Sequence, residues 1–353
     1  MINKLIKEDT KMFLTGNEVL AYAANSAEAE FMYGYPITPQ NEIMHTWCKL
    51  LPKTGAGFST IGGILAGKRA FTATAGPGNV IMQDAQSMAE MMRIPFVCAV
   101  MQRGGPSTAT VIYAQQETRL TCFGGNGEGF RIVYSTAGHQ DLYDYMIKAF
   151  NTAWKYRFPT YVLADGYQGK MREPVMLYDP ASRGITMVPT EKALLGDGQI
   201  GIDRKSTHLR NTYNMEEELM NVLEGYKSDY EKMSEEVQEW EEYKAEDAEI
   251  LVIAHGIVAR SARTAIDELR EKGIKAGLFR PITIRPLAVK PLRAAVSRAK
   301  QILFTESANG QLAQMVLEKL YGLNTPYETL FKMGVGVTGD DIVSKVEGML
   351  CKV

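Results

Sequence analysis

Cysteine, histidine and net charge are all scarce in this chain of 353 residues, and each scarcity excludes a class of function. The four cysteines, Cys48, Cys98, Cys122 and Cys351, form no CxxC pair, so neither an iron–sulfur cluster nor a zinc site is expected. Cys98 lies inside an apolar run and reads as a core thiol. The four histidines, His45, His139, His208 and His255, are scattered without an i, i+4 pair, and no residue is assigned to a metal. His255 stands at a strand end before Gly256, where it fits a capping or core role or a place on a domain interface. The formal net charge is −2, too small for a global field that would draw nucleic acid or a membrane surface, and neither is expected as a partner. No apolar run approaches the ~18–20 residues of a membrane span. The charged stretch Met1–Phe13 lacks the apolar centre of a signal peptide, so a cytoplasmic protein is expected. No Gly-x-Ser-x-Gly elbow or Walker loop occurs.

Two glycine patterns are set aside. Gly334, Gly336 and Gly339 match GxGxxG, but a dinucleotide fingerprint needs a βαβ unit and an acid about 20 residues on. Only 14 residues follow Gly339, and Asp340 is expected to cap a last helix, Asp341–Met349. Gly196-Asp197-Gly198 follows no clear strand, and no asparagine pair comes after it at a suitable distance, so it reads as a turn.

What the chain does have is concentrated between Arg69 and Thr108. Ala70–Ala75 is short, apolar and Thr-rich, and it stops at Gly76-Pro77-Gly78, as a buried strand does at a tight turn. Asn79 can cap the helix that follows, with Val80, Asp84, Met88 and Met91–Met92 on a helical repeat. Ile94–Met101 is a second apolar run, of the kind covered on both faces, and it ends at Arg103-Gly104-Gly105-Pro106-Ser107. Strand, helix and strand make a βαβ unit with a right-handed connection. Both glycine turns then fall at the carboxyl ends of adjacent parallel strands, where open α/β sheets bind ligands. Arg103 at such an end is placed to hold a carboxylate by bidentate hydrogen bonds. Upstream, Tyr35-Pro36-Ile37-Thr38-Pro39 carries two prolines that fix φ and remove N–H donors. That stretch is either a strand-to-helix connection or a rigid ledge aiming the Thr38 hydroxyl at a ligand.

The rest of the chain fits two α/β domains on a prior of ~150 residues each. Expected elements of the first are a helix over Thr15–Ala29 with a Thr15/Glu18 capping box, a strand Phe31–Tyr33 and a helix over 43–52. A polar loop between Thr108 and Glu128 follows, then strand Arg131–Ser135, helix Asp141–Trp154 and strand Pro159–Ala164. Residues 179–247 read as a linker. Within it Leu219, Leu223, Tyr226, Tyr230, Met233, Val237 and Trp240 are spaced 4, 3, 4, 3, 4, 3 among acidic residues. That is a helix packed lengthwise on another helix, either on its own chain or as an arm gripping a partner subunit. Residues 248–353 alternate strands (Ala248–Ala254, Ala276–Phe279, Gln301–Thr305) with helices (Val258–Lys272, Pro291–Ala299), with Pro281–Pro286 as a loop. Short crossovers there predict a mostly parallel sheet.

Three motifs in this order are specific: Tyr35-Pro36-Ile37-Thr38-Pro39, Thr72-Ala73-Thr74-Ala75-Gly76-Pro77-Gly78 and Gln102-Arg103-Gly104-Gly105-Pro106-Ser107-Thr108. With Thr305-Glu306-Ser307-Ala308-Asn309-Gly310-Gln311, they resemble the alpha subunit of a 2-oxoacid:ferredoxin oxidoreductase over nearly the whole chain. Phe123-Gly124-Gly125-Asn126-Gly127-Glu128-Gly129 is most similar to the branched-chain (2-oxoisovalerate) group. The resemblance implies a pyrimidine-type domain of thiamine-diphosphate enzymes with a mostly parallel sheet, residues 1–178, and a transketolase C-terminal-like α/β domain, residues 248–353. It also implies thiamine diphosphate shared with a beta subunit. Mg2+ and [4Fe-4S] clusters would belong to partner subunits, among them a gamma and an iron–sulfur subunit, with ferredoxin as electron acceptor. The implied reaction is coenzyme A-dependent oxidative decarboxylation of a 2-oxoacid. By motif position Thr38 would hydrogen-bond the substrate or cofactor, and Arg103 would pair with the substrate carboxylate. Tyr35, Pro36, Ile37, Gly76, Pro77, Gly78, Asn79, Gly104, Gly105, Pro106 and Ser107 would shape the cofactor wall.

The resemblance departs in one place. The family has an acidic segment, whose glutamate protonates the aminopyrimidine, between the helix ending near Pro52 and Arg69. Here Gly55-Ala56-Gly57-Phe58 runs straight into Ser59-Thr60-Ile61 without an acid, a shortening of roughly two to three helical turns. No activating glutamate is named, Glu42 is not taken as a substitute, and a non-catalytic or altered subunit is the alternative reading.

Overall fold

The computed structural model describes residues 4–50, 54–55, 58–190 and 209–351. The chain begins with strand β1 (Thr10–Thr15), helix α1 (Gly16–Ser26), β2 (Phe31–Tyr33), α2 (Asn41–Leu50), β3 (Thr54–Gly55) and α3 (Phe58–Leu65). The central βαβ region is β4 (Ala70–Thr74), α4 (Pro77–Ile81), α5 (Gln83–Met91) and β5 (Val97–Gln102). Next come α6 (Thr118–Phe123), β6 (Ile132–Ser135), α7 (His139–Tyr156), β7 (Thr160–Asp165), α8 (Gly166–Lys170) and β8 (Arg172–Leu177). After α9 (Glu216–Val237) and β9 (Trp240–Tyr243), the second domain runs β10 (Ile250–Ile253), α10 (Gly256–Glu271), β11 (Ala276–Pro281), β12 (Thr283–Arg285) and α11 (Val289–Arg298). It closes with β13 (Gln301–Glu306), α12 (Gln311–Lys319), β14 (Tyr327–Phe331) and α13 (Gly339–Leu350).

The first sheet has the order β12-β6-β7-β5-β4-β2-β3, and every pair in it is parallel except β12 with β6. All residues of its central strands β4, β5 and β7 are buried, which explains their unbroken apolar runs. The second sheet, β14-β13-β10-β11-β9, is parallel apart from its edge strand β9. A separate antiparallel pair, β1 with β8, closes the first domain's ends together. The Thr15/Glu18 capping box forms at the start of α1. Among the described residues no helix is long and apolar enough to cross a membrane.

Several expectations change. Pro281–Pro286 is not a loop: Thr283–Arg285 leaves the second domain and pairs with Val133 and Tyr134, so the two domains share a sheet edge. The heptad helix stops at Val237, because Trp240 enters strand β9 and pairs with Pro281. That helix is not a projecting arm. Tyr230 sits against Phe130 and Phe158 and donates to the Arg131 carbonyl (2.8 Å), while Met233 and Val237 are buried. Arg93 stacks over Phe158 and Tyr226 and pairs with Asp229, which fastens α9 to its own chain. The Val80–Met92 repeat is broken at Met82 into two helices, and Val80 is exposed. The stretch from Thr108 to Glu128 contains α6 rather than loop alone. Thr338, not Asp340, caps α13, with Asp341 completing a capping box. The turn read at Gly196–Gly198 and the residue His208 lie outside the described residues. Ser59 continues α3 directly from Phe58.

Candidate active site

Three turns leave the carboxyl ends of β2, β4 and β5 and meet. β4 and β5 are paired in register through Thr74 and Val100, so Gly76 and Arg103 emerge side by side. Asn79, expected from the sequence to cap its helix, does not. Gly76 precedes the first turn of α4 with φ of +50°, and Asn79 lies inside the helix. A Cβ on Gly76 would collide with Arg103 Nε, so only glycine fits both the backbone and the approach. A Cβ on Gly78 would meet Thr74 Oγ1 at 2.5 Å, with the Ile37 side chain in ordinary contact beyond it at 3.5 Å.

Arg103 is 4% exposed and reaches across Gly76 to donate Nη1–H to the Thr38 carbonyl (2.7 Å). The arginine therefore fixes the proline ledge that holds Thr38. Its buried Nε–H has no partner among the described residues, an orphan that needs an acceptor. The Thr38 hydroxyl is half-buried, with Asn41 Nδ2 at 3.5 Å. Tyr35 and Pro36 are exposed, as are Gly105, Pro106 and Ser107, whereas Gly104 and Asn79 are buried. The peptide bonds Thr38–Pro39 and Gly105–Pro106 are cis. The structure thus brings the residues from all three motifs to one edge, Thr38 and Arg103 at its centre.

The principal residue that sequence reasoning missed is Glu117. It stands just before α6, 5% exposed, yet it does not cap that helix. Its Oε1 accepts the backbone N–H groups of Gly76 (2.7 Å) and Arg103 (3.0 Å), and Oε2 accepts Asn79 Nδ2–H (3.1 Å). Burial pushes this carboxyl above its usual range, against the pull of those donors and of the Arg103 charge. Neighbouring glutamines complete the strap. Gln102 Oε1 accepts the Glu117 N–H (3.2 Å), and Gln116 Oε1 accepts the Gly105 N–H (2.6 Å). Gln115 donates to the His255 carbonyl (2.9 Å) and accepts the Ser307 N–H (3.0 Å). Gln311 donates to the Gln116 carbonyl (2.8 Å), which docks the 305–311 motif of the second domain on the first. His255 lines that interface as well, its Nδ1 paired with Ser135 Oγ at 2.9 Å. Burial and Arg280 lower its pKa to about 3, so the ring is neutral. Gln115-Gln116-Glu117 has no periodicity, and only the acid directly before an apolar turn, Thr118–Phe123, hints at its place.

Among the described residues Glu42 and Glu117, like Asp165 at the end of β7, are engaged on this side of the sheet. Glu42 pairs with Lys170 and accepts from Asn17 (2.9 Å), and Glu117 takes three N–H donors. The 123–129 segment packs on α5: Gly124, Gly125 and Gly129 lie against Gln83, Ser87 and Glu90. The backbone of Ile112 and the ring of Pro39 crowd Gly166, and the Tyr113 and Tyr167 rings meet edge to face at 6.0 Å.

The family model "Pyruvate flavodoxin/ferredoxin oxidoreductase, thiamine diP-bdg" matches residues 22–242, and "Pyruvate:ferredoxin oxidoreductase core domain II" matches residues 248–345. The chain is 32% identical to the 2-oxoglutarate synthase subunit KorA of Methanocaldococcus jannaschii, over 85% of this chain and 89% of that protein. It is 30% identical to the ketoisovalerate oxidoreductase subunit VorB of Methanothermobacter marburgensis, over 85% and 87%. Among solved structures it resembles a 2-oxoglutarate:ferredoxin oxidoreductase from Magnetococcus marinus with a TM-score of 0.82 at 24% identity, a likeness of fold. That match covers 97% of this chain, which spans 65% of the other. A split-gene transketolase shares the fold at a TM-score of 0.56 and 14% identity.

Proposed function

We propose a function on the premise that this chain belongs to the alpha subunits of the 2-oxoacid:ferredoxin oxidoreductases, an enzymatic family whose first domain binds thiamine diphosphate. The chain contributes one wall of a site for coenzyme A-dependent oxidative decarboxylation of a 2-oxoacid. A beta subunit supplies the diphosphate and Mg2+ side, gamma and iron–sulfur subunits carry the [4Fe-4S] clusters, and ferredoxin takes the electrons.

The observation that carries this reading is the buried, unpartnered Arg103 Nε–H beside the Thr38 ledge. A substrate carboxylate satisfies that donor and gains a charge-assisted bond. Thr38, held through its own carbonyl, presents its hydroxyl to the substrate or the cofactor. Gly76 and Gly78 keep their turns free of side chains and, with Tyr35–Ile37, Pro77, Asn79 and Gly104–Ser107, form the wall the cofactor approaches. Thiamine diphosphate, when bound, supplies the electron sink for decarboxylation. This chain's residues orient the oxoacid and exclude water, so their share of the rate is positioning and preorganised charge. No residue is assigned to protonating the aminopyrimidine, because Glu42 and Glu117 are both engaged.

The side-chain preference we assign is a branched-chain 2-oxoacid, 3-methyl-2-oxobutanoate. Support for it comes from the Phe123–Gly129 motif, most similar to the branched-chain group, and from the likeness to the ketoisovalerate oxidoreductase subunit VorB. The second reading is 2-oxoglutarate, favoured by the 2-oxoglutarate synthase KorA relatives. A third, an altered subunit without turnover, is favoured by the engaged carboxylates. Coenzyme A-dependent ferredoxin reduction by the complete complex, with 3-methyl-2-oxobutanoate, 2-oxoglutarate and pyruvate compared at equal concentration, separates all three. Highest kcat/KM on the branched substrate is the expected result. Preference for 2-oxoglutarate selects the second reading, and no reduction with any 2-oxoacid refutes the enzyme reading.

A further inference from the structure

We infer that Glu117 is a positioning residue for the substrate arginine, an inference that rests on the proposed function. Its carboxylate is the common acceptor for both glycine turns: Oε1 takes the N–H of Gly76 at the end of β4 and of Arg103 at the end of β5, at 2.7 and 3.0 Å. Oε2 takes the side chain of Asn79 in α4 at 3.1 Å. Three donors converge on one side chain that is 5% exposed, and of the three only Asn79 Nδ2 has a second acceptor among the described residues, Thr121 Oγ1 at 3.3 Å. Three donors and no acceptor suit an ionised carboxylate, which has about four lone-pair sites and no proton to place.

The consequence is geometric. Glu117 fixes the base of Arg103 through its backbone, and Thr38 fixes the tip through Nη1. The side chain between them lies on Gly76, whose own N–H is held by the same Glu117 oxygen. The gap between the two turns is therefore set by one carboxylate, and so is the path the guanidinium follows. Glu117 is itself held by Gln102 Oε1 on β5, which accepts from the Glu117 N–H and from Thr118 Oγ1 (3.1 Å). Replacing the acid by an amide keeps the volume but puts an NH2 among three donors. With the amide oxygen in the Oε1 place the two turn N–H groups keep their acceptor, and the NH2 then faces Asn79 Nδ2–H, so the charge is lost and the Asn79 side chain of α4 must shift. A shift of about 1 Å at a substrate-orienting group changes rate by up to roughly 100-fold.

The test is Glu117→Gln in the complete complex, with Arg103→Ala and the double variant alongside. The expected result for E117Q is a rise of about 10- to 100-fold in KM for the 2-oxoacid, with a smaller change in kcat and coenzyme A KM unchanged. Because the effect passes through Arg103, adding E117Q to R103A should raise KM by less than about 3-fold more, the signature of coupled neighbours. Additive effects in the double variant, or wild-type KM in E117Q, overturn the inference. If E117Q does not fold, Glu117→Asp takes its place: it keeps the charge, is one methylene shorter, and is expected to raise KM in the same direction. An Asp variant with wild-type KM also overturns it. The two readings fail differently. A wild-type complex that neither oxidises nor, by calorimetry, binds a 2-oxoacid refutes the function and the inference together, whereas an active wild type with an indifferent E117Q refutes the inference alone.

Discussion

Replacing Arg103 by alanine tests the centre of the proposed site. The side chain is 4% exposed, its Nη1 donates to the Thr38 carbonyl at 2.7 Å, and its Nε has no acceptor among the described residues. Truncation therefore removes the donor that the substrate carboxylate would use and releases the ledge carrying Thr38. Cutting one partner of a buried, hydrogen-bonded charge pair costs ~2–5 kcal/mol. At about 1.36 kcal/mol per decade, that corresponds to a loss of roughly 30-fold to several thousand-fold in kcat/KM. The loss should fall mainly on KM for the 2-oxoacid, because the guanidinium binds a charge already present in the ground state. Arg103→Lys keeps the charge but loses the planar fork, so it should recover only part of the loss. The assay is 2-oxoacid-dependent ferredoxin reduction by the complex at saturating coenzyme A, beside thermal melts of each variant. Folding should survive, since Glu117 keeps its Gly76 and Asn79 donors and the Arg103 backbone N–H. Wild-type kcat/KM in a folded R103A complex would refute the assignment of Arg103 to the substrate.

Three further outcomes follow from the packing. Arg131 is fully buried and grips both oxygens of Glu90 (2.7 and 2.6 Å), so Glu90→Ala, by stranding the guanidinium, should cost ~3–5 kcal/mol in urea unfolding of the chain. Tyr230→Ala empties the slot between Phe130 and Phe158, and a loss of roughly 3–5 kcal/mol with lowered Tm is expected; an unchanged Tm would mean α9 is not fastened to its own chain. Burial raises Asp165 to about 7, so the folded state keeps its proton at a pH where the unfolded chain, at about 3.9, has lost it. The stability tied to this group is complete below about pH 4 and is lost as pH rises through about 7. Asp165→Asn should flatten that part of the stability–pH curve, as read by chemical unfolding at several pH values.

The first sheet's centre and the edge where the motif turns meet were legible in the residues because both rest on local rules. Unbroken apolar runs at Ala70–Ala75 and Ile94–Met101 can only be strands buried on both faces. Gly76 marks a turn at φ +50° that side chains rarely follow, and Gly78 a place where a Cβ would meet Thr74 Oγ1. The Thr15/Glu18 box needed only four consecutive positions. Arg103 was recognisable from its place after a buried strand.

What the local rules could not carry was pairing over long separations. Thr283–Arg285 looks like a loop between two prolines, and it is a strand only because β6 offers it an edge about 150 positions earlier in the chain. Trp240 continues a helical spacing, yet β11 captures it as a strand, since an open sheet edge outweighs the last half-turn of an apolar stripe. Glu117 sits in a polar, aperiodic stretch, and its meaning comes wholly from the three donors that β4, α4 and β5 bring to it. By itself the sequence determined the α/β class, the buried strands, the two glycine turns and the motif arginine, all consequences of composition and spacing within one element. Only the tertiary structure decided how the turns are joined, which carboxylates are engaged and how the second domain locks onto the first. A hydrogen bond between distant residues leaves no period in the chain and exists only once the sheet has brought its ends together.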